Sequence, residues 1–391
     1  MRKILRVICA LLAIGLVACV NTKPIEPVTP DTTIASLGIP ADNEIWFTTS
    51  DDRDLMGVDE EAFNAAITDI EYSELGINVI HFDAPLTTIG DGAFNAYGTS
   101  RNLSNISLPE TVESIGERAF YECTNLECIT LGTKIRVCGS QAFDNCMSLY
   151  SLHISSIGDW SQIKFANSTA NPLYYGGILV VNGNKITNLA IPAWVSHIED
   201  YAFCNYSAIL SVKIPASIKS IGKNAFYGCE SISKVEIEDI AAWCAIDFAS
   251  AESNPLANGK PLYINGQPVT SISLTNVERV TARAFQGCNN VSSFSSDDTL
   301  KVIGEEAFRG CEKLTAVVLG KGVTEINGRA FMGCRALESV KCYAVTPPSL
   351  GDKYVFDYNA EGRKIYVPSE SLDTYKSHAD WSRYADSIFA L

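Results

Sequence analysis

Ile303-Gly304-Glu305-Glu306-Ala307-Phe308-Arg309-Gly310-Cys311-Glu312-Lys313-Leu314, followed by Val317-Val318-Leu319, is the stretch on which the reading of this chain turns. The pattern returns at residues 326–337 and then as Val340-Lys341-Cys342, which sets Phe331 in the place that Phe308 holds one repeat earlier. A fixed period of about 23 residues, closed by Leu-x-x-(Ile/Val)-x-Leu, is the mark of a leucine-rich solenoid, in which each repeat is one coil of a stack.

Working outward, the Ala-Phe pair recurs at Phe94, Phe120, Phe143, Phe203, Phe226, Phe285, Phe308 and Phe331. The steps keep close to that period except from Phe143 to Phe203 and from Phe226 to Phe285, which are more than twice as long. The two long steps hold insertions that resemble each other. Trp160, Asn171-Pro172-Leu173 and Asn182-Gly183 in the first match Trp243, Asn254-Pro255-Leu256 and Asn265-Gly266 in the second, all at one constant offset, so a larger module is duplicated. Asn-Gly is a hairpin-turn signal, and each insertion is therefore expected to add a rung of its own. Within a coil, alternating apolar residues such as Ile129 and Leu131 point inward from a short strand. A second apolar pair follows, then a Gly (Gly116, Gly222, Gly304) expected to permit a bend. Stacked coils spaced about 4.8 Å apart bury what no coil buries alone.

The order along the chain follows. Residues 1–19 carry Arg2, Lys3 and Arg6, a short apolar run and Leu16-Val17-Ala18-Cys19, the form of a lipoprotein signal with Cys19 as the lipidation site. Val20, rather than an Asp, follows Cys19 and points to the outer membrane, facing the periplasm or the cell surface. Residues 20–40, with Pro24, Pro27, Pro30 and Pro40, read as an extended tether. Residues 41–88 form an amino-terminal cap with a degenerate repeat, and residues 89–342 the solenoid with insertions at 155–191 and 238–274. Residues 343–391 form a carboxyl-terminal cap, where Tyr375, Trp381, Tyr384, Ile388 and Phe389 are expected to cover the open end on one or two short helices.

The formal net charge of −15 and the absence of a basic stripe argue against nucleic acid as a partner. Cys123, Cys146, Cys229, Cys288, Cys311 and Cys334 each stand three residues after a repeat Phe, the placement of a packing ladder; disulfides between rungs stay open as an alternative. The spacing of Cys and His does not fit zinc, and Ser50-Asp51-Asp52-Arg53-Asp54 lacks the spacing of a calcium loop, so no metal or cofactor is expected. There is no Gly-x-Ser-x-Gly, phosphate loop or His-Glu-x-x-His, and the pair Glu305-Glu306 reads as charge on a solvated face. A non-enzymatic protein is expected.

The outward strand positions form the candidate binding face: Asn105, Ser107, Thr130, Ser151, His153, Ser211, Lys213, Lys234, Glu236, Ser339 and Lys341. Small side chains of mixed charge suit a protein or polysaccharide better than a buried small molecule. Trp160, Trp243, Tyr174, Tyr175 and Tyr263 offer an alternative, sugar-stacking platforms on a glycan-binding accessory protein, although repetition in both insertions favours packing for the two indoles.

The repeats, the Trp and Asn-Pro insertions and the Tyr366-Val367-Pro368…Tyr375-Lys376…Trp381-Ser382 ending resemble the BspA-like leucine-rich repeat family, as found in lipoproteins of Bacteroidetes. The resemblance covers residues from about 45 to the end. It implies a right-handed leucine-rich-repeat solenoid, mainly β, with a parallel sheet on one face and short turns or helical segments elsewhere. It also implies adhesion: binding to host-matrix proteins or to the surface of other bacteria, with the membrane engaged through the lipid anchor.

Overall fold

Each regular coil has three sides, and on each side main-chain groups bond to the next coil. The first side is a four-residue strand such as Cys128–Leu131, Lys234–Ile237 or Ala316–Leu319. The second is a two-residue strand such as Ser114–Ile115 or Val302–Ile303. The third is the Ala-Phe corner, where the Phe N–H donates to the carbonyl of the Ala before the next coil's Phe: Phe94 to Ala119 at 2.7 Å, Phe120 to Ala142 at 2.8 Å, Phe308 to Ala330 at 2.8 Å. These bonds satisfy backbone groups that would otherwise be buried unpaired. The computed structural model describes residues 39–51, 53–55, 57–74, 76–95 and 102–391. The lipidation signal with Cys19, and the tether as far as residue 38, lie outside the described residues.

The strands of the first side form three sheets in succession. The first runs in parallel through Leu103–Ser107, Cys128–Leu131, Ser151–Ile154 and Ile178–Val181. The second continues through Asn188–Ala190, Ser211–Ile214, Lys234–Ile237 and Leu262–Ile264. The third runs from Ser271–Leu274 to Lys364–Val367. Sheets one and two each end in an antiparallel hairpin, Val181 against Asn184 and Ile264 against Gln267. Both hairpins lie at the Asn-Gly turns, and each insertion does supply its own rung. Among the described residues no helix is long and apolar enough to cross a membrane.

The core is a column of Phe rings. Phe94, Phe120 and Phe143 stack at 5.1 and 5.0 Å with planes 7° apart, and Phe285, Phe308 and Phe331 at 5.1 and 5.2 Å. Fully burying a side chain of this size contributes roughly 1.5–3 kcal/mol. The corner that presents each ring is strained: the second residue before Phe lies in the left-handed region at Arg118, Gln141, Tyr201, Arg283, Glu306 and Arg329, with φ between 53° and 64°. That conformation costs a non-glycine residue about 1–2 kcal/mol, which the stacked rings and corner bonds offset.

Three expectations are corrected here. The Gly after the short strand is not there to bend the chain. A Cβ on Gly116, Gly139, Gly222 or Gly304 would stand 2.4–2.6 Å from backbone atoms of the preceding coil, so close approach of coils excludes a side chain. The carboxyl-terminal cap does not begin at residue 343. Ser349–Leu350 extends the short-strand ladder, Lys364–Val367 extends the third sheet, and Phe356 stacks on Phe331 at 5.6 Å and 3°, which makes one more complete coil. The lid proper is Tyr375, Trp381 and Tyr384, all buried, whose polar atoms donate to the carbonyls of Ala344, Pro348 and Lys353. Phe389 is not part of that lid; it lies on the last strand, Ile388–Ala390, and is 41% exposed.

At the other end the cap is an antiparallel meander of Glu44–Thr49, Asn78–Phe82 and Ile67–Glu71, joined antiparallel to Leu103–Ser107. Phe63 faces Phe94 at 5.8 Å and so serves as the first, irregular anchor.

Candidate functional site

Parallel pairing in register puts the eleven candidate residues into rows. In the first sheet one row is Asn105, Cys128, Ser151 and Ile178, and the next is Ser107, Thr130, His153 and Val180. In the second sheet Asn188, Ser211 and Lys234 form one row, and Ala190, Lys213, Glu236 and Tyr263 the other. In the third, Ser271, Ser293, Ala316, Ser339 and Lys364 run beside Ser273, Ser295, Val318, Lys341, Tyr366 and Phe389. Along each strand these positions alternate with apolar residues of the core, such as Ile129, Val212 and Val317.

Accessibility is another matter. Ser107 is 0% and Thr130 8% exposed, and Ser151 is also buried, so these three do not belong to an open surface. Each is short and lies next to a larger group: Ser107 pairs with Trp46, Thr130 with His153, and Ser151 Oγ is bonded to His153 Nε2 at 3.0 Å. Among the described residues the Ser107 and Thr130 hydroxyls have no hydrogen-bond partner. On the second sheet the charges are paired. Lys234 Nζ meets Glu236 at 2.5 Å and Lys213 Nζ meets Glu238 at 3.4 Å. The hydrogen bond from Lys234 holds the Glu236 carboxyl below its ordinary range. Lys234 Nζ also stands 5.2 Å from the centre of the Tyr263 ring.

The third sheet is open, as the second is at Asn188, Ala190 and Lys213. Ser271, Ser273 and Lys341 are exposed, and Ser293, Ser295 and Ser339 half-buried. Ser293 bonds to Ser271 and Ser295 to Ser273 through their hydroxyls. The outer row ends in Lys341, Tyr366 and Phe389, with Lys364 Nζ 5.7 Å from the Phe389 ring centre. Sequence reasoning missed Tyr366 and Phe389 as members of this face because it assigned them to the cap. The alternation in Lys364-Ile365-Tyr366-Val367 is the signal that places Tyr366 outward.

The insertion indoles are not sugar platforms. Trp160 and Trp243 are each 1% exposed, and their Nε1–H groups donate to the carbonyls of Ala202 at 2.8 Å and Ala284 at 2.7 Å. Asn171 and Asn254 reach the same carbonyls with their amides and take the N–H of Leu173 and Leu256 on their oxygens. These four side chains replace the Phe N–H that the insertion lacks. Tyr174, Tyr175 and Tyr263 are half-buried.

The repeat cysteines are buried and free. Five donate to the Phe carbonyl of the preceding coil at 3.0–3.1 Å: Cys123 to Phe94, Cys146 to Phe120, Cys229 to Phe203, Cys311 to Phe285 and Cys334 to Phe308. Cys288 follows an insertion, has no such carbonyl below it, and bonds instead to Asn290 Oδ1. Burial pushes the Cys123 thiol up to about 12 and the Cys288 thiol to about 11, which suppresses the reactive thiolate. Glu306 corrects another expectation. It is 6% exposed and not on a solvated face, held by Arg309 at 2.7 Å, Arg283 at 3.3 Å and Arg329 at 3.7 Å from three successive coils.

A family model described as the BspA type leucine rich repeat region matches residues 65–173, 180–246 and 263–379 in six copies. No curated protein matches the chain. Among solved structures, a leucine rich cell surface protein from Faecalibacterium prausnitzii A2-165 is 20% identical over 83% of this chain and 86% of its own, with a TM-score of 0.40. A leucine-rich repeat protein from Bacteroides ovatus is 20% identical over 83% and 91%, with a TM-score of 0.37. The pneumococcal vaccine antigen PcpA is 14% identical over 78% and 83%, with a TM-score of 0.33.

Proposed function

This chain belongs to the BspA-type leucine-rich repeat family, and from that premise we propose that it is a non-enzymatic, lipid-anchored protein of the cell envelope that binds a protein partner through the open part of its strand face. The observation that carries the reading is the third sheet, where a lane of small serines ends in Lys341, Tyr366 and Phe389. Protein interfaces are enriched in aromatic side chains, and here two of them stand together at the end of a mostly small surface. The sugar-binding alternative loses its two indoles to the core. The sequence Leu16-Val17-Ala18-Cys19 and the prolines after it support an anchor and a spacer, which give reach and allow many weak contacts to act together.

The test is a binding screen of residues 41–391 against host-matrix proteins, bacterial surface proteins and polysaccharides. Retention of a protein, weakened about tenfold or more in a Tyr366→Ala, Lys341→Glu variant, is the expected result. Retention of polysaccharides alone, or a protein bound equally well by the variant, contradicts the reading. Exchange of Cys19→Ser should move the protein out of the membrane fraction, and protease treatment of intact cells distinguishes surface display from a periplasmic position.

A further inference from the structure

The two insertions are copies of one module, yet they differ at one corner. In the first, Tyr174 and Tyr175 fill the space against the coil of Phe143, their rings edge to face at 5.1 Å. Tyr175 Oη accepts from the Asn145 N–H at 3.0 Å and donates to the Asp144 carboxylate at 2.6 Å. In regular coils the N–H two residues after Phe donates to a carbonyl of the next coil, as Glu122 does to Asp144 at 2.8 Å and Gly310 to Met332 at 2.9 Å. The insertion does not present a carbonyl there, and a phenol hydroxyl takes its place.

In the second module Ala257 and Asn258 take the sequence positions of the two tyrosines, with Asn258 in the left-handed region at φ 61°. The space is a cavity of about 380 Å³ lined by residues that include Phe226, Gly228, Glu230, Glu252, Pro255 and Lys260. Its volume is in the range of ligand sites, roughly 300–1,000 Å³. Gly228 is the counterpart of Asn145, and its N–H has no hydrogen-bond partner among the described residues. Glu230 and Glu252 stand on the walls, able to accept a phenol proton as Asp144 does in the first module.

We propose that this cavity receives a tyrosyl side chain displayed by a partner polypeptide, its ring filling the space of Tyr174 and Tyr175 and its hydroxyl accepting from Gly228 N–H and donating to a wall carboxylate. The molecule itself supplies the template: the same corner, in its duplicate, already holds a tyrosine in this way. The proposal deepens the protein-binding reading and rests on it only for the partner being a polypeptide. None of the cavity residues belongs to the strand face, so the two stand or fall in separate experiments.

The test is titration of the protein with N-acetyl-L-tyrosinamide, read by amide NMR. The expected result is a saturable shift centred on Gly228, weakened roughly tenfold with N-acetyl-L-phenylalaninamide, which lacks the hydroxyl. Asn258→Tyr, which restores the ring that corresponds to Tyr175, should abolish the shift, and Tyr175→Ala should open a second site at Asn145 with the same preference. No shift at Gly228, equal binding of both amides, or unchanged binding by a folded Asn258→Tyr protein overturns the proposal whatever the strand face is found to bind.

Discussion

A regular junction and an insertion junction solve one problem in two ways. Where the coil of Phe308 meets that of Phe331, rings stack 5.2 Å apart, the Phe308 N–H bonds to Ala330, and the Cys334 thiol caps the Phe308 carbonyl. Where the second insertion meets the coil of Phe285, the insertion has no Phe at that corner. The Trp243 indole and the Asn254 amide reach the Ala284 carbonyl instead, and Asn290 binds both the N–H and the carbonyl of Leu262. The lesson is that a stack tolerates an irregular coil only if side chains satisfy the groups that the regular backbone would have paired.

The largest expected effect tests that equivalence directly. Phe308→Ala should cost about 3–5 kcal/mol by cavity formation, and Trp243→Ala the same or more, because it adds a lost hydrogen bond to the lost ring. Urea unfolding of both variants checks this. A cost below about 1 kcal/mol for Trp243→Ala would show that the insertion hangs on the stack without holding it.

A second effect sharpens the contrast between coils that have a thiol bond to the coil below and coils that do not. The folded thiols are raised from an ordinary value of 9.0, Cys123 to about 12 and Cys288 to about 11. Folding therefore keeps protons that the unfolded chain releases. Stability is complete below about pH 9 and falls as the pH rises toward 11–12, by at most about 1.4 kcal/mol per pH unit for each thiol. Denaturation midpoints between pH 8 and 10.5 should show this, and Cys123→Ala should reduce the slope. A slope that Cys123→Ala leaves unchanged would contradict the assignment.

The smallest effect concerns Glu306, which ties three regular coils together through arginines. Glu306→Gln should cost about 1 kcal/mol at low salt and less in 1 M salt, since its partners are partly exposed and screened. Thermal melts at the two salt concentrations measure it; a cost independent of salt would mean the carboxylate acts through packing alone.

How much of this was legible follows from where the information lies. The period, the inward residues and the duplicated insertions were readable because each coil must repeat its buried side chains. The coil of Phe356 escaped because Val355 replaces Ala and the step from Phe331 is longer than the regular one. Burial of Glu306 was invisible because its arginines come from three coils, and Ser107 and Thr130 are hidden only by neighbours one strand away. On the face, alternation names the outward residues but not their exposure, which is why the open lane ending at Tyr366 and Phe389 emerged only with the structure.

Hydrogen exchange on Phe308→Ala tests most directly the claim that each coil is sheltered by its neighbours. Faster exchange should spread to the peptides that hold Phe285 and Phe331 and leave those of Phe94 and Phe120 unchanged. Acceleration confined to the peptide containing position 308 would mean that coils stand on their own, and would contradict the account.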